Sequence, residues 1–119
     1  MATNTRQVLS ASSINGTVVE NMKRENLGEI KDLMIDISKG RIAYAVLSFG
    51  GFLGMGDKLF AIPWEAFRVV QEEETFLLDV AKEKLEKAPG FDKDNWPDMA
   101  DAMWGKSIHD YYGYKPYWN

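Results

Sequence analysis

Cysteine is absent from this chain of 119 residues. Disulfide bonds, thiolate metal sites and redox chemistry at sulfur are therefore excluded. Histidine occurs once, as His109, so a Ser–His–Asp or metal-water mechanism would have to be built on that single ring. Long apolar runs are also missing: the N-terminal segment lacks the core of a signal peptide, and no window is long enough to span a bilayer. We expect a soluble, cytoplasmic protein without a membrane span.

The chain also lacks a basic surplus. Its net charge is −4, and the charge is uneven: residues 1–60 hold seven Lys/Arg against six Asp/Glu, and residues 61–119 hold seven against twelve. Phosphate recognition normally leaves a basic stripe, so we expect no nucleic-acid partner. We interpret the acidic second half as a solubilising surface, with attraction of a basic partner as the alternative.

Short β-rich runs dominate the middle of the chain. Apolar residues on both faces of Ile42–Phe49 predict a strand covered on two sides, by a barrel interior on one and by a helix, the C-terminal tail or a partner on the other. Pro63 cannot donate to a sheet and predicts the end of its strand. The other runs are Thr17–Glu20, Leu27–Ile37, Leu59–Ile62, Phe67–Val70 and Phe76–Val80.

The run Leu27–Ile37 changes phase along its length. Leu33, Ile35 and Ile37 alternate with polar or intermediate residues, which predicts a half-buried strand. Ile30 belongs to the opposite set. One extra residue near Lys31-Asp32 would reconcile the two halves, so we predict a β-bulge or a sharp coil there.

Helical patterns begin only after these runs. Asp79 is a candidate N-cap for a short helix over Ala81–Lys87. Farther on, apolar residues recur at intervals of three and four from Trp96 to Tyr111. This spacing predicts one apolar helix face, in which Gly105 is a candidate break.

Several motifs follow one another in a fixed order: Leu27-Gly28-Glu29-Ile30 with Leu33, Gly40-Arg41-Ile42 with Tyr44-Ala45-Val46, Gly50-Gly51-Phe52-Leu53-Gly54, Lys58, Ile62-Pro63-Trp64, Leu78-Asp79 and Ala88-Pro89-Gly90-Phe91. This order resembles the PRC-barrel family over residues 7–91. The resemblance implies a mainly β fold, a small closed or partly open antiparallel β-barrel with short C-terminal helices and an aromatic tail. We expect a barrel domain over residues 1–91 and an extension over residues 92–119, packed on the barrel or on a partner. The tail resembles the C-terminal extension of stand-alone bacterial members.

The family resemblance implies an interaction role. Related domains seal the cytoplasmic face of the photosynthetic reaction centre or help a ribosome maturation factor to bind a ribosomal protein. The family supplies no catalytic motif that could be carried onto this chain. We therefore expect a protein that is not an enzyme and has no catalytic residues.

The glycine-rich connection could be read as a phosphate-binding loop. Such a loop would have to open a helix, whereas the residues after Gly56 continue as a strand, so we expect glycine to serve a turn and not a nucleotide. Its apolar residues Phe52, Leu53 and Met55 are candidate interaction residues. The sequence leaves open whether they fold back on the barrel or insert into a partner.

The acidic segment after the barrel suggests calcium only weakly. Asp92 and Asp94 are followed by Trp96 and Pro97 where an EF-hand would need an oxygen ligand and glycine. We expect the acidic residues of this segment, which also include Asp98 and Asp101, to favour a helix start, and we predict no metal site and no cofactor. Whether Asp92, Asp94 and Asp98 bind a cation stays open.

The aromatic tail is the strongest candidate surface. Tyr112, Tyr114, Tyr117 and Trp118 combine large apolar area with polar tips, as interface anchors do. They either cover their own barrel or dock on another chain. We predict a non-catalytic interaction module that forms a homodimer through the apolar loop and this tail, with a carrier of small apolar ligands as the alternative.

Overall fold

The computed structural model describes residues 8–50, 57–70 and 74–118. The fold is mainly β, as predicted: within these ranges, six strands form one strongly bent sheet, a half-barrel, followed by short C-terminal helices. The elements are α1 (Ala11–Ile14), β1 (Val18–Glu20), β2 (Asn26–Asp36), β3 (Arg41–Gly50), β4 (Asp57–Pro63), a 3₁₀ turn (Trp64–Ala66), β5 (Phe67–Val70), β6 (Thr75–Leu78), α2 (Lys82–Glu86) and α3 (Ala102–Tyr112).

The strand order in the sheet is β4-β3-β2-β1-β6-β5. Neighbouring strands are antiparallel except for β1 and β6, which run parallel with Val18 opposite Thr75. Pro63 is the last residue of β4, as predicted. The outer edge of β4 is shielded by a two-bond bridge between Leu59 and Phe91, with N···O distances of 2.9 and 2.8 Å. At Leu59 the bridge occupies the backbone groups that a foreign strand would otherwise pair with.

The predicted bulge in β2 is confirmed. Ile30 pairs with Leu47 and Asp32 with Val46, so Lys31 is the extra residue. A second irregularity follows between Met34 and Ile35. Bulges increase local twist and bend the sheet toward closure.

The predicted burial of the end of this run is wrong. Leu33 is buried, but Ile35 is 53% exposed and Ile37, just beyond the strand, is 90% exposed. Both residues lie after the second irregularity, at the tip of the β2–β3 hairpin. The hairpin extends beyond the core there, so alternation alone does not decide burial.

The predicted two-sided burial of β3 is confirmed: all residues from Ala43 to Phe49 are buried. One side faces the half-barrel core, which includes Leu47, Phe60 and Ile62. The side chain of Tyr44 instead meets the C-terminal residues.

The C-terminal helices differ from their sequence-based boundaries. Ala81, not Asp79, is the N-cap of α2, and it makes no side-chain cap hydrogen bond. Helix α3 begins only at Ala102, because the Asp101 carboxylate accepts from the Met103 N–H at 2.9 Å and caps it there. Gly105 does not break the helix. No described helix is long and apolar enough to cross a membrane.

Candidate protein-interaction site

The outer side of β3 carries an aromatic cluster, defined here as Tyr44, Trp104, His109, Tyr117 and Trp118. The Tyr44 ring lies at its centre. Its centroid is 5.3 Å from that of Trp104, 5.4 Å from His109 and 5.9 Å from Tyr117. Such separations and tilted or edge-on geometries are favourable for aromatic pairs. The cluster therefore joins the C-terminal segment to the sheet.

A reversal after α3 brings the last residues back onto the helix. Gly113 adopts the left-handed conformation (φ +85°), and its N–H donates to the His109 carbonyl at 2.8 Å. The Tyr114 N–H donates to the same carbonyl at 2.9 Å. Glycine tolerates this conformation without steric cost, so it ends the helix and turns the chain. The turn returns Trp118 to within 5.7 Å of the His109 ring, centroid to centroid.

The helix accepts this returning segment because Gly105 has no side chain. A Cβ at Gly105 would lie 2.7 Å from the Tyr44 hydroxyl and 2.8 Å from the Trp118 ring. Gly105 therefore provides the space in which these two side chains meet α3.

We expect Gly105→Ala to displace Trp118 and to lower the free energy of unfolding by about 1–2 kcal/mol, despite the better helix propensity of alanine. Acrylamide quenching of tryptophan fluorescence should increase, and urea unfolding gives the stability. Ser107→Ala, an exposed change on the same helix, is the control and should alter neither measurement by much. A more stable Gly105→Ala protein with unchanged quenching would contradict this packing.

His109 is fully buried within the cluster. Its Nδ1 lies 2.7 Å from the Gly105 carbonyl oxygen, so this nitrogen carries the proton and donates. Among the described residues, neither the Nε2 atom nor the Tyr44 hydroxyl, both of which are buried, has a hydrogen-bond partner. Burial raises the pKa of the Tyr44 phenol, with the neighbouring Tyr117 as a second cause. The aromatic rings of Tyr44, Tyr117 and Trp118 pack closely around the His109 imidazole.

The polar neighbours of His109 in sequence are engaged elsewhere. The Ser107 hydroxyl donates to the Trp104 carbonyl at 2.7 Å, and the Asp110 carboxylate accepts from Lys106 at 2.9 Å on the exposed face of α3. Among the described residues, no group of three or more acidic or histidine side chains could hold a metal ion.

A groove of about 500 Å³ lies beside the cluster, between the tip of the β2–β3 hairpin and the C-terminal segment. We call it the hairpin groove. The hairpin contributes the two exposed isoleucines described above, and the C-terminal segment contributes Met99 and Tyr117. Met34, Ala43, Tyr44 and Ala100 also line it.

A negative charge lies in the groove and a positive charge beside it. Asp36 lines it, and Arg41 lies opposite Asp36 across the hairpin with its guanidinium 4.9 Å from the centroid of the Tyr117 ring. The pKa of Asp36 is lowered, chiefly because the Ser38 hydroxyl donates to it at 2.7 Å, with further help from the Lys39 backbone N–H and the Tyr117 hydroxyl. Burial raises the pKa of Tyr117, and the nearby Asp36 charge adds to this. Asp36 therefore stays ionised in the groove.

Comparison with known proteins assigns the fold. A profile of the PRC-barrel domain matches residues 6–85, about two thirds of the chain. The chain belongs to the PRC-barrel family. No curated protein matches it. Among solved structures, it is similar to a protein described as the 16S ribosomal RNA processing protein RimM of Pseudomonas aeruginosa, with 16% identity and a TM-score of 0.44. That similarity covers 63% of this chain and 45% of RimM, so the chain spans less than half of that protein.

The predicted interaction residues of this PRC-barrel protein differ in how far they are exposed at the surface. Tyr117 and Trp118 come together, with ring centroids 5.1 Å apart, and Trp118 is 39% exposed. Tyr114 is half-buried. Tyr112 is buried in the core, where burial raises the pKa of its phenol. The loop residues Phe52, Leu53 and Met55 lie outside the described residues.

Sequence reasoning did not assign Ile35, Ile37 and Met99 to the candidate surface. The two isoleucines looked like core residues because they continue the alternation of β2. One signal was available: Ile37 directly precedes the turn Ser38-Lys39-Gly40, where a hairpin tip commonly leaves the core. No sequence signal placed Met99 against that hairpin.

Proposed function

We propose that this PRC-barrel protein is a non-catalytic, cytoplasmic protein-interaction module that self-associates. Its contact regions would be the glycine-rich loop with Phe52, Leu53 and Met55 and the aromatic tail. The observation that carries the proposal is the exposed apolar rim of the hairpin groove. Ile37 is 90% exposed there and Ile35 53%, beside the C-terminal Tyr117.

An exposed apolar rim of this kind favours association. Single exposed apolar side chains are ordinary, but adjacent ones lining a concave surface are typical of interaction sites. The rim combines β-branched side chains with Tyr117 and lies next to the partly exposed Trp118. Tyrosine and tryptophan are the residue types that most often dominate binding energy at interfaces. The net charge of −4 supports a protein partner over a nucleic acid.

The surroundings of His109 support the absence of catalysis. A nucleophile–base pair needs hydrogen-bonding contact between the two groups. In the described part of the chain, the buried Nε2 atom of His109 has no such partner, and aromatic rings pack around the imidazole. We therefore attribute to the histidine a packing role.

Light scattering coupled to size-exclusion chromatography tests self-association. We expect a mass of twice the chain mass at high protein concentration, falling toward one chain on dilution. Replacing Phe52, Leu53 and Met55 together by serine tests the loop: retention of the wild-type dimer constant would remove the loop from this interface. A strict monomer at every concentration would contradict the self-association half of the proposal.

A carrier of small apolar ligands is the second candidate. The half-barrel interior is filled by its own side chains, so a ligand would have to use an open cleft. One of about 700 Å³ lies between α1 and the β5–β6 hairpin, lined in part by Leu9, Ile14 and Phe76. This volume is within the range of ligand sites. Titration with 8-anilinonaphthalene-1-sulfonate tests it, with Leu9→Glu, at a 43% exposed lining position, as the site variant. Absence of saturable fluorescence with the wild-type protein would exclude an apolar site of this kind.

A further inference from the structure

We infer that the hairpin groove is the contact face of a two-fold symmetric dimer, in which each copy inserts Ile37 into the groove of the other. This inference rests on the proposed self-association and names the hairpin groove, with Tyr117 of the aromatic tail, as the part of the contact surface that lies at the symmetry axis. A symmetric dimer uses the same patch on both copies, so the patch must be complementary to itself. Shape and charge of the hairpin groove both meet that requirement.

The shape of the patch provides a projection and a recess side by side. Ile37 projects from the hairpin tip with 90% of its surface exposed. The groove that it borders has a volume of about 500 Å³ and apolar walls from Met34, Met99 and Tyr117. Because the projection lies at the rim of the recess, both insertions can occur together only near the symmetry axis. The two Ile37 side chains are therefore expected to lie close to each other.

The charges favour a second copy over other partners. Asp36 lies in the groove, and exposed Asp98 directly precedes the wall residue Met99. Exposed Lys39 and Arg41 lie on the same hairpin, within five residues of Asp36. A uniformly acidic partner would be repelled by the two carboxylates, and a uniformly basic partner would be repelled by the two cations. A second copy presents both signs, so a two-fold rotation can bring opposite charges together.

Charge placed at position 37 tests the arrangement. Ile37→Lys and Ile37→Glu should each raise the dimer dissociation constant by about a hundredfold, because the loss occurs once in each copy and like charges meet near the axis. Mixing the two variants should restore a dimer that contains one of each, detected by native mass spectrometry. Folding should be unaffected because position 37 is exposed, and circular dichroism checks this. Met103→Glu, at an 82% exposed position on α3, is the matched control and should leave the dimer intact.

The outcomes distinguish a dimer through the hairpin groove from self-association through another face. A wild-type dimer that survives Ile37→Lys would overturn the assignment of the face and leave self-association standing. Dissociation of both variants without formation of a mixed dimer would overturn the two-fold placement of Ile37. A wild-type protein that is monomeric at all concentrations would overturn both.

Discussion

Gly28→Ala is expected to lower the free energy of unfolding by more than about 4 kcal/mol, a large share of the total of about 5–15 kcal/mol that is usual for single domains. Gly28 lies in β2 with φ +126°, a conformation that residues with a side chain rarely adopt. A Cβ there would lie 1.9 Å from the backbone oxygen of Ser48 on β3. Because β3 is buried on both sides, its backbone cannot move away cheaply. Urea unfolding followed by circular dichroism measures the loss.

Gly40→Ala separates the strain of positive φ from the steric collision with the Ser48 backbone oxygen. Gly40 also has positive φ (+66°), but a Cβ there meets nothing within 4 Å. Its substitution should cost only about 1–2 kcal/mol, the strain of the left-handed conformation alone. If the two alanine variants lost equal stability, the collision with Ser48 would play no part.

Tyr44→Ala is expected to cost about 3–5 kcal/mol, the range for removing a large aromatic side chain from a packed interior. Tyr44 is 1% exposed, and its ring contacts Trp104, His109 and Tyr117. Its loss should therefore loosen the C-terminal segment as well as destabilise the sheet. Hydrogen exchange should show reduced protection in α3, beyond the loss expected from global stability.

Tyr44→Phe is the matched control, since it removes only the hydroxyl. That hydroxyl is buried and has no hydrogen-bond partner in the part of the chain that the structure describes. Its deletion should therefore change the free energy of unfolding by no more than about 1 kcal/mol and could increase it. A phenylalanine variant as unstable as the alanine variant would show that the hydroxyl makes a necessary hydrogen bond.

Local sequence patterns predicted the strands and the first bulge because each depends on a few neighbouring residues. The opposite phases of Ile30 and Leu33 require an extra residue between them, whatever the rest of the fold. The parallel pairing of β1 with β6 has no such local signal, since Val18 and Thr75 lie far apart in sequence. The start of α3 depended on which of several aspartates caps it, and Asp101 does so.

The candidate site was predictable only in part. The aromatic content of the tail predicted it as a candidate surface, and Tyr117 and Trp118 do meet at the surface. Composition could not show that Tyr112 turns inward, because helical phase and the turn at Gly113 decide which side of each tyrosine is covered. Ile37 illustrates the opposite problem: its residue type indicates a core position, while the length of the hairpin beyond the sheet leaves it in solvent.

The pairing of the first strand with the last has a consequence during synthesis. One side of Val18–Glu20 acquires its neighbour, β2, within a few residues, but the other side waits for Thr75–Leu78. At ribosomal speeds of about 5–20 residues per second, the roughly 40 residues between β2 and β6 take about 2–8 s to emerge. A nascent chain therefore has an unpaired sheet edge for seconds. Because β1 is only three residues long, a strand of another chain could form few hydrogen bonds with that edge during this time.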